Sequence, residues 1–121
     1  MEKMSKHSLF KRGDIVLVSF PFTDLSSAKV RPVVIVSADP QQNDVVVAFI
    51  SSVSEGLRSY EILLESKDHD FTTTGLKMTS VFKMDKLLTI ASILIIRRLG
   101  HVNSSLERKI DQALKTALSL S

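Results

Sequence analysis

Cysteine is absent from this 121-residue chain. Disulfide scaffolds, thiolate metal sites and cysteine nucleophiles are therefore excluded, and a reducing compartment is permitted. Glycine is scarce: the four present lie far apart, so no glycine-rich loop can cradle a phosphate. The three histidines, His7, His69 and His101, are scattered; no His-x-x-x-His spacing exists, and the densest ligand group, Lys67-Asp68-His69-Asp70, which holds the chain's one Asp-x-Asp, reads as a solvated loop. The Gly-x-Ser-x-Gly nucleophile turn of many hydrolases is missing. No long apolar run occurs either. The most apolar stretch, Ile90–Ile96, stops at Arg97-Arg98, far short of the roughly 20 residues a bilayer requires, and the N-terminal positive charge precedes no signal-peptide core. These absences predict a cytoplasmic protein with no membrane contact, no cofactor and no metal.

What is present has the balance of a globular domain: 44% hydrophobic, 24% charged, and a formal charge of +3 that biases it mildly towards polyanions. The length favours one domain. Residues 1–10 are polar and aperiodic and predict a flexible arm, leaving 11–121 as a single domain. Short β-branched runs bounded by turn residues follow. Ile15–Phe20 ends at Pro21, Arg31–Ser37 follows a polar loop over 22–29, and Val45–Ser51 follows a turn containing Pro40 and Asn43-Asp44. Tyr60–Glu65 reads as a fourth strand, and Thr79–Met84 and Leu87–Ile90 as a fifth and a sixth. The runs Ile15–Val18 and Val33–Val36 do not alternate in polarity, so both faces of those strands should be covered.

The period changes at the C-terminus. Ser104 and Glu107 have capping-box spacing, and Leu106, Ile110, Ala113, Leu114, Ala117 and Leu118 share one helical face. The expected fold is α+β: a curled antiparallel β-barrel of about five to seven strands with a C-terminal amphipathic helix.

Polar residues at the ends of apolar strands are the candidates for chemistry. Arg31 precedes Pro32-Val33-Val34-Ile35-Val36; its planar guanidinium suits a phosphate, though a pairing with a surface Asp would also explain it. Ser51-Ser52 closes the next apolar strand, where a hydroxyl can also simply bond its own backbone. Lys83 and Asp85 flank Met84 and should project from one side of the pleat, as a functional pair or as a plain ion pair.

The order Gly-Asp-Ile-Val-Leu-Val-x-Phe-Pro, Arg-Pro-Val-Val-Ile-Val, Val-Ala-Phe-Ile-Ser-Ser, Gly-Leu-Lys-x-x-Ser-Val and Leu-Gly-x-Val before a helix resembles the MazF/PemK toxins of type II toxin–antitoxin systems, from about Lys11 to Leu120. The resemblance implies an SH3-like barrel of the MazF/CcdB type, a homodimer, an antitoxin partner, and metal-independent endoribonuclease activity on single-stranded RNA. It places the family's arginine on Arg31 and its hydroxyl residue on Ser51, here serine where threonine is usual; a basic residue and an aspartate fall on Lys83 and Asp85. The catalytic set implied is Arg31, Ser51 and Asp85. Phe22, Lys29, Pro32, Ser52, Lys77, Thr79 and Lys83 would bind RNA, with Phe20, Phe22 and Phe82 as stacking platforms. In such a reaction the RNA's own 2′-OH attacks phosphorus, leaving a 2′,3′-cyclic phosphate and a 5′-OH. The alternatives are a non-catalytic RNA- or protein-binding module and a CcdB-like gyrase inhibitor; the latter would not require an arginine paired with a hydroxyl.

Overall fold

A computed structural model describes residues 10–20, 29–39, 43–52 and 56–121. The arm expected over 1–10, Phe10 excepted, lies outside these residues, as do the loop 22–28 and Pro40. Six strands, β1 (Asp14–Phe20), β2 (Lys29–Ala38), β3 (Asp44–Ser51), β4 (Glu61–Leu64), β5 (Ser80–Ala91) and β6 (Ile95–His101), precede one helix, α1 (Ser104–Ala117). The strands form one antiparallel sheet in the order β4-β5-β3-β2-β1-β6.

Two strand expectations need correction. Thr79–Met84 and Leu87–Ile90 are halves of one strand, β5. Lys83 stands opposite Phe49 and Leu87 opposite Ala48, so residues 84–86 face no partner on β3. The polar pair Asp85-Lys86 that looked like a break is the exposed part of a bulge. The true sixth strand, Ile95–His101, carries Arg97, Arg98 and Gly100, which weaken a strand signal but suit an exposed edge.

The unbroken apolar runs of β1 and β2 feed two cores, one on each face of the sheet. Ile15, Val34, Ala48, Ile50, Phe82 and Met84 pack with Leu106, Ile110 and Ala113 of α1. Val16, Val18, Phe20, Val33, Ile35, Val47, Ile90 and Ile95 form the second core, so both faces are indeed covered. Phe20 and Phe82 are 1% and 0% exposed and cannot serve as the expected stacking platforms. Their size made them core, not surface.

The sheet is curled but its edge strands, β4 and β6, are not hydrogen-bonded to each other. A 3₁₀ turn at Thr72–Thr74, which follows β4, reaches across to β6. The approach is so close that a Cβ on Gly100 would lie 2.2 Å from the Thr73 carbonyl oxygen. A Cβ on Gly75, itself left-handed at φ 74°, would lie 2.0 Å from that of Leu99. On the other side, Asp14 is buried at the start of β1; it accepts from His101 Nδ1 at 2.8 Å and from Arg98 at 2.9 Å, tying β6 in place.

The helix is capped one residue earlier than Ser104. Asn103 is the N-cap, its Oδ1 accepting from Leu106 N at 2.9 Å, an interaction that contributes about 1 kcal/mol. Asn103 Nδ2 also donates to Asp70 at 2.7 Å, and Ser105 and Lys109 approach the same carboxylate. These partners, the Asn103 hydrogen bond foremost, hold the Asp70 carboxyl below its ordinary value of 3.8. A depressed pKa stabilises the fold above the unfolded value, and that contribution is lost as pH falls through the folded one. Urea midpoints measured from pH 5 downwards should therefore fall below about pH 4, and the Asp70→Asn variant should fall less steeply.

Candidate RNA-binding site at one end of the sheet

Because β2 and β3 run antiparallel, Arg31, near the start of β2, and Ser51, the last residue of β3, come to the same end of the sheet. Arg31 is exposed and Ser51 half-buried. Two hollows open there, and both residues line each of them. Pro32 fixes the backbone beside Arg31 and is itself part of the larger hollow.

The larger hollow, about 520 Å³, has an apolar floor that includes Leu17, Pro32 and Ile50. Its rim carries Arg31, Lys77 and Arg97, and Ser52 also lines it. The Gly75–Met78 lip is the segment that follows the 3₁₀ turn seated on β6, so the glycine contacts described above set the shape of this wall. The smaller hollow, about 330 Å³, lies between Phe20, Phe49, Leu88 and Lys83. Lys83 pairs with Phe49 on one side and with Glu61 on the other, so these three side chains share a face.

The structure thus brings together Arg31, Ser51, Pro32, Ser52, Lys77 and Lys83. It does not bring in the rest. Asp85 is exposed on the β5 bulge and lines neither hollow. Lys29 is exposed at the first position of β2, also outside both. The Thr79 hydroxyl accepts from Ser66 N at 2.9 Å, so it braces the loop after β4. Phe22 lies outside the described residues. Phe49 and Arg97 were not foreseen. Counting back by two from Ser51 reaches Phe49 on the same face, a signal the non-alternating run concealed.

The site is basic and phenyl-lined, with a hydroxyl at its centre. A guanidinium fork and a hydroxyl from adjacent strands can grip the oxygens of one phosphodiester. Among the described residues no three His, Asp or Glu side chains converge as a metal ion would need, and no helix is long and apolar enough to cross a membrane.

The family described as PemK-like, MazF-like toxin of type II toxin–antitoxin system matches residues 11–118. The chain belongs to the PemK/MazF toxin family. Solved members agree in fold. The Mycobacterium tuberculosis toxin MazF-mt6 is 26% identical, with a TM-score of 0.68 over 89% of this chain and 98% of its own. An endoribonuclease in complex with its cognate antitoxin from a Mycobacterial species is 23% identical, with a TM-score of 0.71 over 93% and 97% of the two chains. A MazE-MazF structure from Deinococcus radiodurans is 16% identical, with a TM-score of 0.72 over 93% and 98%. The last two are likenesses of fold. No curated protein matches the sequence.

Proposed function

We propose that this chain is the toxin of a type II toxin–antitoxin pair and acts as a cytoplasmic, metal-independent endoribonuclease on single-stranded RNA. The observation that carries the reading is the meeting of Arg31 and Ser51 at the mouth common to two hollows. The RNA supplies the nucleophile: its 2′-oxygen attacks the adjacent phosphorus and loses its proton to water at the open mouth, while the bond to the 5′-oxygen breaks and that oxygen gains a proton from water. The products are a 2′,3′-cyclic phosphate and a 5′-OH. Arg31 neutralises the charge that develops on the phosphorane oxygens, and the Ser51 hydroxyl donates to a non-bridging oxygen. Asp85, four residues along β5 from the partner of Ser51, serves as an orienting carboxylate for RNA that lies across the β5 bulge. Lys77 and Lys83 attract the backbone on either side, with Pro32 and Ser52 as walls. Lys29 and Thr79 belong to the outer part of the same track.

The exposed apolar side chains Val30 and Met78, 50% and 57% exposed, line the larger hollow beneath a basic rim. That combination fits a disordered, acidic and apolar antitoxin segment that folds onto the site and displaces RNA. We place a homodimer with this reading, Ile96, 49% exposed, adding to the apolar surface open to a second copy.

The test is incubation of a long single-stranded RNA in EDTA. Discrete fragments are expected. RNA that stays intact but is bound would leave only the binding module, and RNA neither bound nor cut would turn attention to protein targets.

A further inference from the structure

We infer that Phe49 is the base-stacking residue of the site, holding the base of a nucleotide next to the scissile phosphate in the smaller hollow; this rests on the ribonuclease reading. Phe49 is partly exposed, whereas Phe20, 1% exposed, lies behind it with ring centroids 5.5 Å apart and planes tilted by 37°. One ring is therefore fixed in the core and braces the other against the opening. A braced ring loses little freedom when a base settles on it.

Three features make the occupant a nucleotide base and not an apolar side chain. Lys83 stands directly opposite Phe49, so a cation borders the ring. Arg31 and Ser51 line the same hollow. Phe49 and Ser51 are two residues apart on β3 and share a face, separated by about 6.7 Å along the strand. A base lying on Phe49 thus leaves its own phosphate beside the guanidinium and the hydroxyl. Single-stranded RNA is bound in this way elsewhere, through bases splayed onto aromatic rings with basic residues on the backbone.

The test compares wild type, Phe49→Leu and Phe49→Tyr. Leucine keeps the apolar bulk behind the opening and removes the π face; tyrosine restores it. Cut sites are first mapped on a long single-stranded RNA with wild type, and a short oligonucleotide spanning one of them becomes the substrate. Phe49→Leu is expected to raise KM on the order of tenfold with kcat little changed, and Phe49→Tyr to return KM to the wild-type value. In oligonucleotides with an abasic residue in turn at each position flanking the cut, one position should make wild type and Phe49→Leu alike. Wild-type kinetics in Phe49→Leu, or a KM difference that no abasic position removes, would overturn the inference while leaving the ribonuclease reading standing. If wild type cuts no RNA at all, both fall together.

Discussion

Arg31→Ala is expected to lower RNA cleavage by roughly 10²–10³-fold, about 3–4 kcal/mol of lost transition-state stabilisation. The fold should not notice. Arg31 is exposed on β2, and exposed substitutions away from special features usually change stability by no more than about 0.5 kcal/mol. The two halves of the expectation are checked separately, by single-turnover cleavage and by urea unfolding. Arg31→Lys should recover charge but not the planar fork, and so should regain only part of the rate. If Arg31→Ala cut RNA at the wild-type rate, phosphate stabilisation would have to come from elsewhere at the mouth, with Lys77, Lys83 and Arg97 the other cations among the described lining residues.

Gly100→Ala is expected to be strongly destabilising, by steric clash alone. The new Cβ would meet the Thr73 carbonyl oxygen at 2.2 Å and the Thr74 carbonyl carbon at 2.4 Å. Both are backbone atoms of the 3₁₀ turn and cannot rotate aside. The turn must lift off β6, at a cost of about 3 kcal/mol or more. Its displacement also moves the Gly75–Met78 lip of the larger hollow, so RNA binding should weaken under conditions where the variant is still folded. Gly56→Ala is the contrast: no atom lies within 4 Å of the added carbon, and only its φ of 57° is unfavourable. That change should cost about 1 kcal/mol. Urea unfolding of the two variants separates the clash from backbone strain, and equal losses would mean the turn is not held against β6 as described.

Much of the fold could be read from local chemistry. The β-branched runs Ile15–Phe20, Arg31–Ser37 and Val45–Ser51 correspond to β1, β2 and β3 within one or two residues, because uninterrupted Val and Ile leave the chain little else to form. The reading failed where polar residues sit in regular structure. Asp85-Lys86 interrupt the apolar pattern of β5 without interrupting the strand, since a bulge turns them to solvent. Arg97 and Arg98 sit on an edge strand where one side chain reaches back to buried Asp14. The cap moved from Ser104 to Asn103 because Asn103 also finds Asp70, 33 residues away, a contact no local pattern reports.

The site followed the same division. Arg31 and Ser51 were legible because each ends or begins an apolar strand, and antiparallel pairing carries both to one end. Phe49 was hidden inside a run whose residues are apolar on both faces, so nothing local showed which side it would take. Phe20 and Phe82 were misread for the same reason, and proved to be core. Arg97 could not be placed until β6 existed as a strand.

The most direct test of the central claim is the chemistry of the ends left on RNA cut by the wild-type protein in EDTA. The account predicts fragments whose 5′ ends accept phosphate from a polynucleotide kinase without prior dephosphorylation, and whose 3′ ends are cyclic phosphates. Fragments bearing 5′-phosphate and 3′-OH would contradict it, because water and not the 2′-OH would then have attacked the phosphorus.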